Sequence, residues 1–173
     1  MARAYPEWIK KGIHIITPNK KANSLEYSLY EEIKQLLGQK KVQYFYEATV
    51  GAGLPIISTL KDLIQTGDEV LGIEGVFSGT LSYIFNNFSE KKSFSNIVKE
   101  AKEMGLTEPD PREDLSGMDV ARKAIILARE MGQKVDVEDI EVENIVPSSL
   151  RNISSKEEFM EKIGECDSYF EEK

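Results

Sequence analysis

The chain is poor in the residues that most directly announce chemistry. Its 173 residues include one cysteine, Cys166, one histidine, His14, and one tryptophan, Trp8. A lone cysteine forms no internal disulfide, and without a second thiolate there is no thiolate zinc cluster. No apolar run approaches the ~20 residues that span a bilayer. The opening Met-Ala-Arg-Ala-Tyr-Pro-Glu-Trp has no apolar core of a secretory signal. There is no Lys/Arg block, and 22 basic against 30 acidic residues give a net charge of −8, a sign that opposes a phosphate backbone. The expectation is a cytoplasmic globular protein whose partners include neither nucleic acid nor a membrane. A dinucleotide fingerprint is missing as well. Gly51-Ala52-Gly53 leaves a strand-like run and opens a helical one, but Ile56 stands where a G-x-G-x-x-G turn needs its third glycine, and no other such pattern occurs.

What is there suits one substantial core. Hydrophobic residues make up 40% and charged residues 30%, and a domain of this length removes roughly 70% of its unfolded surface from water. The chain opens with a helix end carrying Trp8 and Ile9 and stopped by Gly12, followed by a buried strand, Ile13 to Thr17, in which His14 is a structural residue. Ser24 is positioned to cap a helix through Tyr27, Tyr30, Ile33 and Leu37 to Gly38. Strands are expected over 42–50, 68–78 and 140–146. Helices are expected over 54–65, from Gly79-Thr80 through Phe88, from Ser93 to Gly105, from the Met118 region to Met131, and over 156–163 behind Ser154 or Ser155. The helix ending at Met131 would bury Val120, Ala124, Leu127 and Ala128. Alternating strands and helices indicate an α/β domain.

The segment richest in chemistry is Thr107-Glu-Pro-Asp-Pro-Arg-Glu-Asp-Leu-Ser-Gly-Met-Asp-Val-Ala-Arg-Lys123. Pro109 and Pro111 fix their own φ and push Glu108 and Asp110 towards extended geometry, so the loop holds its carboxylates at low entropic cost. Asp119 and Lys123 then stand four residues apart on one helix face, acid before base. Spacing alone reads this pair as a solvated ion pair worth a few tenths of a kcal/mol. In the same way Lys20 and Lys21 read as loop charges, and Gly51-Ala52-Gly53 as an ordinary tight turn.

Taken whole, the segment resembles the substrate-site signature of homoserine dehydrogenases, and its Ser116–Lys123 part resembles the version in enzymes fused to an aspartokinase. Thr17-Pro-Asn-Lys-Lys-Ala-Asn23 is similar to that family's nicotinamide-side loop, Glu47-Ala-Thr-Val-Gly-Ala-Gly-Leu-Pro55 to its metal loop, and Glu74 to Asn86 to its inter-helix core segment. Four motifs in order imply an α/β fold with a mixed sheet covered by helices. Residues 1–22 would be the tail of an NAD(P)-binding Rossmann domain, 23–150 the catalytic and substrate-binding domain, and 151–173 a C-terminal helical segment, with the chain cut short at both ends.

The implied reaction is NAD- or NADP-dependent reduction of L-aspartate 4-semialdehyde to L-homoserine, in threonine and methionine biosynthesis, by a homodimer. The resemblance makes Lys123 the acid that protonates the carbonyl oxygen, assisted by Lys20 near the nicotinamide. It makes Glu108 and Asp119 ligands of the substrate's ammonium, Asp114 an orienting group, Thr80 a substrate contact and Gly105 a cofactor contact. Oxygens of Glu47, Val50, Ala52 and Leu54 would hold sodium or potassium. Leu106 departs from the pattern, since many relatives carry Tyr there. The alternative is a non-catalytic piece that binds a cation or amino acid, or serves as a dimerisation module.

Overall fold

The computed structural model describes residues 1–89 and 91–171, without the side chains of Cys166 and Glu171. The lone thiol and the last residues of the expected C-terminal segment therefore lie outside the described residues. In chain order the helices are α1 (Tyr5–Lys10), α2 (Lys21–Ser24), α3 (Tyr27–Gln39), α4 (Ile56–Gln65), α5 (Gly79–Asn87), α6 (Phe94–Glu103), α7 (Pro111–Leu115), α8 (Met118–Glu130), α9 (Ser148–Arg151), α10 (Lys156–Lys162) and α11 (Asp167–Glu171). The strands are β1 (Ile15–Ile16) and β2 (Tyr44–Phe45). Among the described residues no helix is long and apolar enough to cross a membrane. Two compact units form, Met1–Phe77 with Ala121–Glu141, and Ser78–Val120 with Val142–Lys173.

In the first unit β1 and β2 pair in parallel, with Ile15 opposite Tyr44 and Ile16 opposite Phe45. Strand alternation sends Ile15 and Tyr44 into the core and leaves Ile16 and Phe45 exposed. Ile9 of α1, Ile33 of α3, Ile57 and Leu60 of α4, and Ile126 and Leu127 of α8 complete that core. Arg129, near the end of α8, brings a charged group into this unit, its side chain fully buried. Its guanidinium donates to the carbonyls of Asn23 (2.9 Å), Leu25 (2.7 Å) and Val135 (2.8 and 3.0 Å) and to Asp136 Oδ1 (2.9 Å). The same Asp136 oxygen accepts the Tyr27 amide at 2.7 Å. The first turn of α3 is thus capped by a residue distant in sequence rather than by Ser24. Ser24 instead closes α2, donating to the Lys20 carbonyl at 3.0 Å.

In the second unit four helix starts are capped locally. Ser78 accepts from the Leu81 amide (3.1 Å), Ser93 from Asn96 (3.4 Å), Asp110 from Arg112 (3.1 Å) and Ser155 from Glu158 (3.1 Å), each at a helix start. Asp167 adds a second cap to α6, accepting from the Ser95 amide (2.7 Å) and hydroxyl (2.6 Å). Ile84, Phe94, Ile97, Leu115, Leu150 and Phe159 form the core beneath these helices.

The α/β class of the sequence reading holds, with differences of detail. Among the described residues the sheet is two parallel strands, not a mixed sheet, and 68–78 and 140–146 form no strand. A strand exists through its neighbours, and 69–77 pair with none; Leu71 and Val76 are 89% and 79% exposed. Residues 42–50 are a strand only at β2 and turn into a 3-10 helix at Glu47–Thr49. Residues 111–115, read as loop, are α7, because Asp110 caps and Pro111 takes the first helical position. Finally, α8 buries Ala121, Ile125, Ile126, Leu127 and Arg129, so its buried face is turned from the expected stripe. The buried strand expected over Ile13 to Thr17 is also cut down to Ile15–Ile16, with Ile13 and Ile16 exposed; His14, expected within it, stands exposed just before β1, its Nδ1 accepting the Gln43 amide at 3.1 Å.

Replacing Arg129 by Ala strands three carbonyls and a carboxylate in the first unit. Arg129→Ala is expected to cost about 3 kcal/mol of unfolding free energy, read by urea denaturation; a loss below about 1 kcal/mol would show the junction to be dispensable.

Candidate functional site

Parallel strands place ligands beyond their carboxyl ends, and both sequence-marked loops of the first unit leave from there. β1 runs into Thr17–Lys20 and β2 into 46–55, side by side because the strands pair. In the first loop Thr17 Oγ1 accepts the Asn19 amide (3.0 Å), and Asn19 Oδ1 accepts that of Lys21 (2.9 Å). This local bonding fixes the turn from which half-buried Lys20 projects, while Lys21 is exposed.

In the second loop Gly51 and Ala52 both take left-handed backbone, φ +77° and +52°. Gly51 has no substitute, since a Cβ there would meet Ile56 Cγ1 at 2.5 Å. Glu47 uses both carboxylate oxygens to cap α4, accepting the amides of Ile57 (2.7 Å) and Ser58 (3.0 Å). Any cation in this loop would therefore be held by backbone carbonyls. Those of Glu47 and Leu54 each accept one amide of the turn, from Val50 (3.3 Å) and Ile56 (2.9 Å), whereas those of Val50 and Ala52 accept no backbone amide. Such a donor set suits a hard monovalent ion. Among the described residues no cluster of three or more His, Cys, Asp or Glu side chains offers another metal site.

The second unit holds the acidic loop. α6 ends at Gly105, φ +71°, with the Gly105 amide on the Lys102 carbonyl (3.0 Å) and the Leu106 amide on that of Ala101 (2.9 Å), a left-handed cap that turns the chain out. Thr80, buried at the start of α5, donates its one hydroxyl hydrogen between the Leu106 carbonyl (2.6 Å) and Asp114 Oδ1 (3.0 Å). Asp114 Oδ2 accepts the Glu108 amide at 2.8 Å. Thr80 and Asp114 therefore latch the loop at both ends of the Leu106–Glu108 step. Asp110 is engaged elsewhere: Arg112 grips it through Nε (2.9 and 3.1 Å) and Nη2 (2.5 Å), donates also to the Ile153 carbonyl, and lies 5.5 Å from the Phe159 ring centroid. That guanidinium holds the Asp110 carboxyl below the ordinary carboxylate range. Glu108 is left exposed, as is Glu113 on α7.

Asp119 and Lys123 lie in the first two turns of α8, both half-buried. Gly117 permits that helix start, with φ +74° and Val142 Cγ1 only 2.9 Å from where a Cβ would stand. The Lys123 ammonium is not adrift; it donates to the Phe77 carbonyl at 2.6 Å. Thr80, Gly105, Glu108 and Asp114 thus form one group in the second unit. Lys20 and the loop of Glu47, Val50, Ala52 and Leu54 form another in the first, which also contains Lys123. Asp114 acts on loop backbone rather than as a lone orienting side chain. The Asp114 latch and the Glu47 cap escaped the sequence reading, although Asp110-Pro111 is a legible helix-start signal.

A parallel α/β core with loops at its carboxyl edge has the layout of a ligand-binding α/β domain, and comparison with known proteins narrows it. The model for the homoserine dehydrogenase catalytic region matches residues 55–167, and that for the homoserine dehydrogenase NAD-binding domain matches 1–47. The chain belongs to the homoserine dehydrogenase family. It is 59% identical over 167 residues to bifunctional aspartokinase/homoserine dehydrogenase 1, chloroplastic, of Arabidopsis thaliana, covering 96% of this chain and 18% of that one. It is 47% identical over 180 residues to a homoserine dehydrogenase of Paracoccidioides brasiliensis, covering 99% and 48%. Among solved structures, a Candida auris protein described as of unknown function superposes with a TM-score of 0.90 at 45% identity, over 99% of this chain and 49% of that one. A hyperthermophilic archaeal homoserine dehydrogenase in complex with NADPH gives 0.67 at 32%, over 77% and 42%. The chain spans about half the length of the fungal relative and under a fifth of the plant one.

The Asp110–Arg112 pair carries a pH signature. A carboxyl whose folded pKa is depressed stabilises the fold fully above its unfolded value, about 3.9, and loses that contribution as pH falls through the folded value. Unfolding free energy measured below about pH 4 should therefore fall less steeply in Asp110→Asn than in the parent chain; parallel acid limbs would contradict the assignment.

Proposed function

We propose that this sequence forms the catalytic and substrate-binding part of a homoserine dehydrogenase, reducing L-aspartate 4-semialdehyde reversibly to L-homoserine. The observation that carries the reading is the latched acidic loop, in which Thr80 and Asp114 hold the backbone of Leu106 and Glu108 while the Glu108 carboxylate is left exposed. A rigid loop presenting an unspent carboxylate suits an amino-acid ammonium, and Asp119 supplies a second negative partner. NADPH or NADH, when bound, supplies the hydride to the aldehyde carbon. The alkoxide that results needs a proton at its oxygen, and the Lys123 ammonium provides it, assisted by Lys20. The hydrogen bond to Phe77 fixes the Lys123 side chain beforehand.

Gly105 lies on the cofactor side in this reading, and sodium or potassium sits on the carbonyls of Glu47, Val50, Ala52 and Leu54. The left-handed turn at Gly51 and Ala52 in the loop beyond β2 supports the cation placement. The reading also carries a homodimeric, cytoplasmic enzyme of threonine and methionine biosynthesis. Exposed Leu71 and Val76, in a segment that pairs with no strand among the described residues, support the dimer.

The 173 residues contain no glycine-rich turn to hold a pyrophosphate, so the chain alone is expected to show no turnover with NADPH and aspartate semialdehyde. In an enzyme joining this sequence to such a turn, Lys123→Ala should lower kcat roughly 10²- to 10⁴-fold with a smaller change in KM. Asp119→Ala should raise KM as well, having lost a ground-state partner. Turnover near that of the parent in Lys123→Ala would remove Lys123 from the chemistry.

A further inference from the structure

Glu130, the last residue of α8, has a side chain only 2% exposed. Its Oε1 accepts the hydroxyls of Tyr46 (2.6 Å) and Tyr30 (3.2 Å), and its Oε2 lies 3.5 Å from Lys34 Nζ and 3.6 Å from Lys61 Nζ. Lys61 also donates to the Tyr46 hydroxyl at 2.8 Å. A buried charge cluster of this kind is weak as a source of stability, because desolvation offsets most of the attraction; its best use is to fix one arrangement among several.

The arrangement it fixes is the loop 47–55. Tyr46 is the residue immediately before that loop, and Lys61 sits on α4, the helix immediately after it. Glu47 ties the start of the loop to the first turn of α4 through Ile57 and Ser58. Between these anchors Ala52 holds a left-handed conformation that costs a non-glycine residue about 1 kcal/mol or more. Such a conformation persists only where its surroundings over-determine it.

We infer that Glu130 is a positioning residue for the 47–55 loop: through Tyr46 and Lys61 it holds the carbonyls of Val50 and Ala52 in their ion-binding arrangement without touching the ion. The inference rests on the reading that this loop binds a monovalent cation. Partners one shell behind a metal's ligands typically govern affinity by 10- to 100-fold.

The test uses the 173-residue chain and titrates sodium and potassium separately. Binding is read by sodium-23 NMR line broadening and by the melting temperature, against choline chloride at equal ionic strength. The parent chain should show saturable binding of one ion. Glu130→Gln should weaken it about 10- to 100-fold at temperatures where the far-UV spectrum is that of the parent. Tyr46→Phe, which removes a single hydroxyl, should do the same if Glu130→Gln fails to fold. A lowered melting temperature with an unchanged ion constant in a folded variant overturns the inference and leaves the cation reading standing. No saturable binding by the parent chain overturns the cation reading and the inference with it.

Discussion

A buried guanidinium holds the first unit together. Arg129 reaches three backbone carbonyls and a carboxylate from the end of one helix, and in doing so joins segments far apart in sequence: the α2–α3 connection, the chain after α8, and Asp136, which caps α3. A planar five-donor group suits that task, since a lysine offers three donors from a point charge. Burial pushes the Arg129 pKa down, opposed by the Asp136 carboxylate, yet a guanidinium starts high enough to stay charged. With that junction fixed, the paired strands send both loops out from their carboxyl edge.

In the second unit the constraint is a carboxylate used on backbone. Asp114 accepts from the Glu108 amide and shares the Thr80 hydroxyl, so the acidic loop is fixed without drawing on the Glu108 side chain. The neighbouring Asp110 is spent on Arg112. Two of the loop's acids thus act as supports, while the Glu108 carboxylate stays exposed. This division of labour follows from geometry, because carboxylates close in sequence have no reason to differ until the loop closes on Thr80 and Arg112.

Local signals were legible in the sequence wherever the physics is local. Ser93 and Ser155 announced their helices, Gly12 and Gly105 their ends, and the Asp119–Lys123 spacing its helix face. Signals carried by distant partners were not. The cap of α3 comes from Asp136, more than a hundred residues on in the chain, and Ser24 was the nearer candidate. The 68–78 segment has the composition of a strand, but a strand requires a neighbour, and among the described residues it has none. Glu130 carried no signal, since nothing in its surroundings along the chain distinguishes a buried, four-partner carboxylate from a surface one. The family resemblance was legible because it lies in contiguous motifs, and the matches over 1–47 and 55–167 agree with it.

Whether the latched acidic loop reads an ammonium is measured most directly by calorimetric binding of L-homoserine and of 4-hydroxybutyrate, which keeps the hydroxyl and the carboxylate and lacks only the α-ammonium, to an enzyme containing this sequence and to its Glu108→Gln variant. The account predicts that the parent prefers homoserine by roughly tenfold or more, the scale of one charge-assisted hydrogen bond, and that Glu108→Gln removes most of this preference. An equal preference in parent and variant would contradict it.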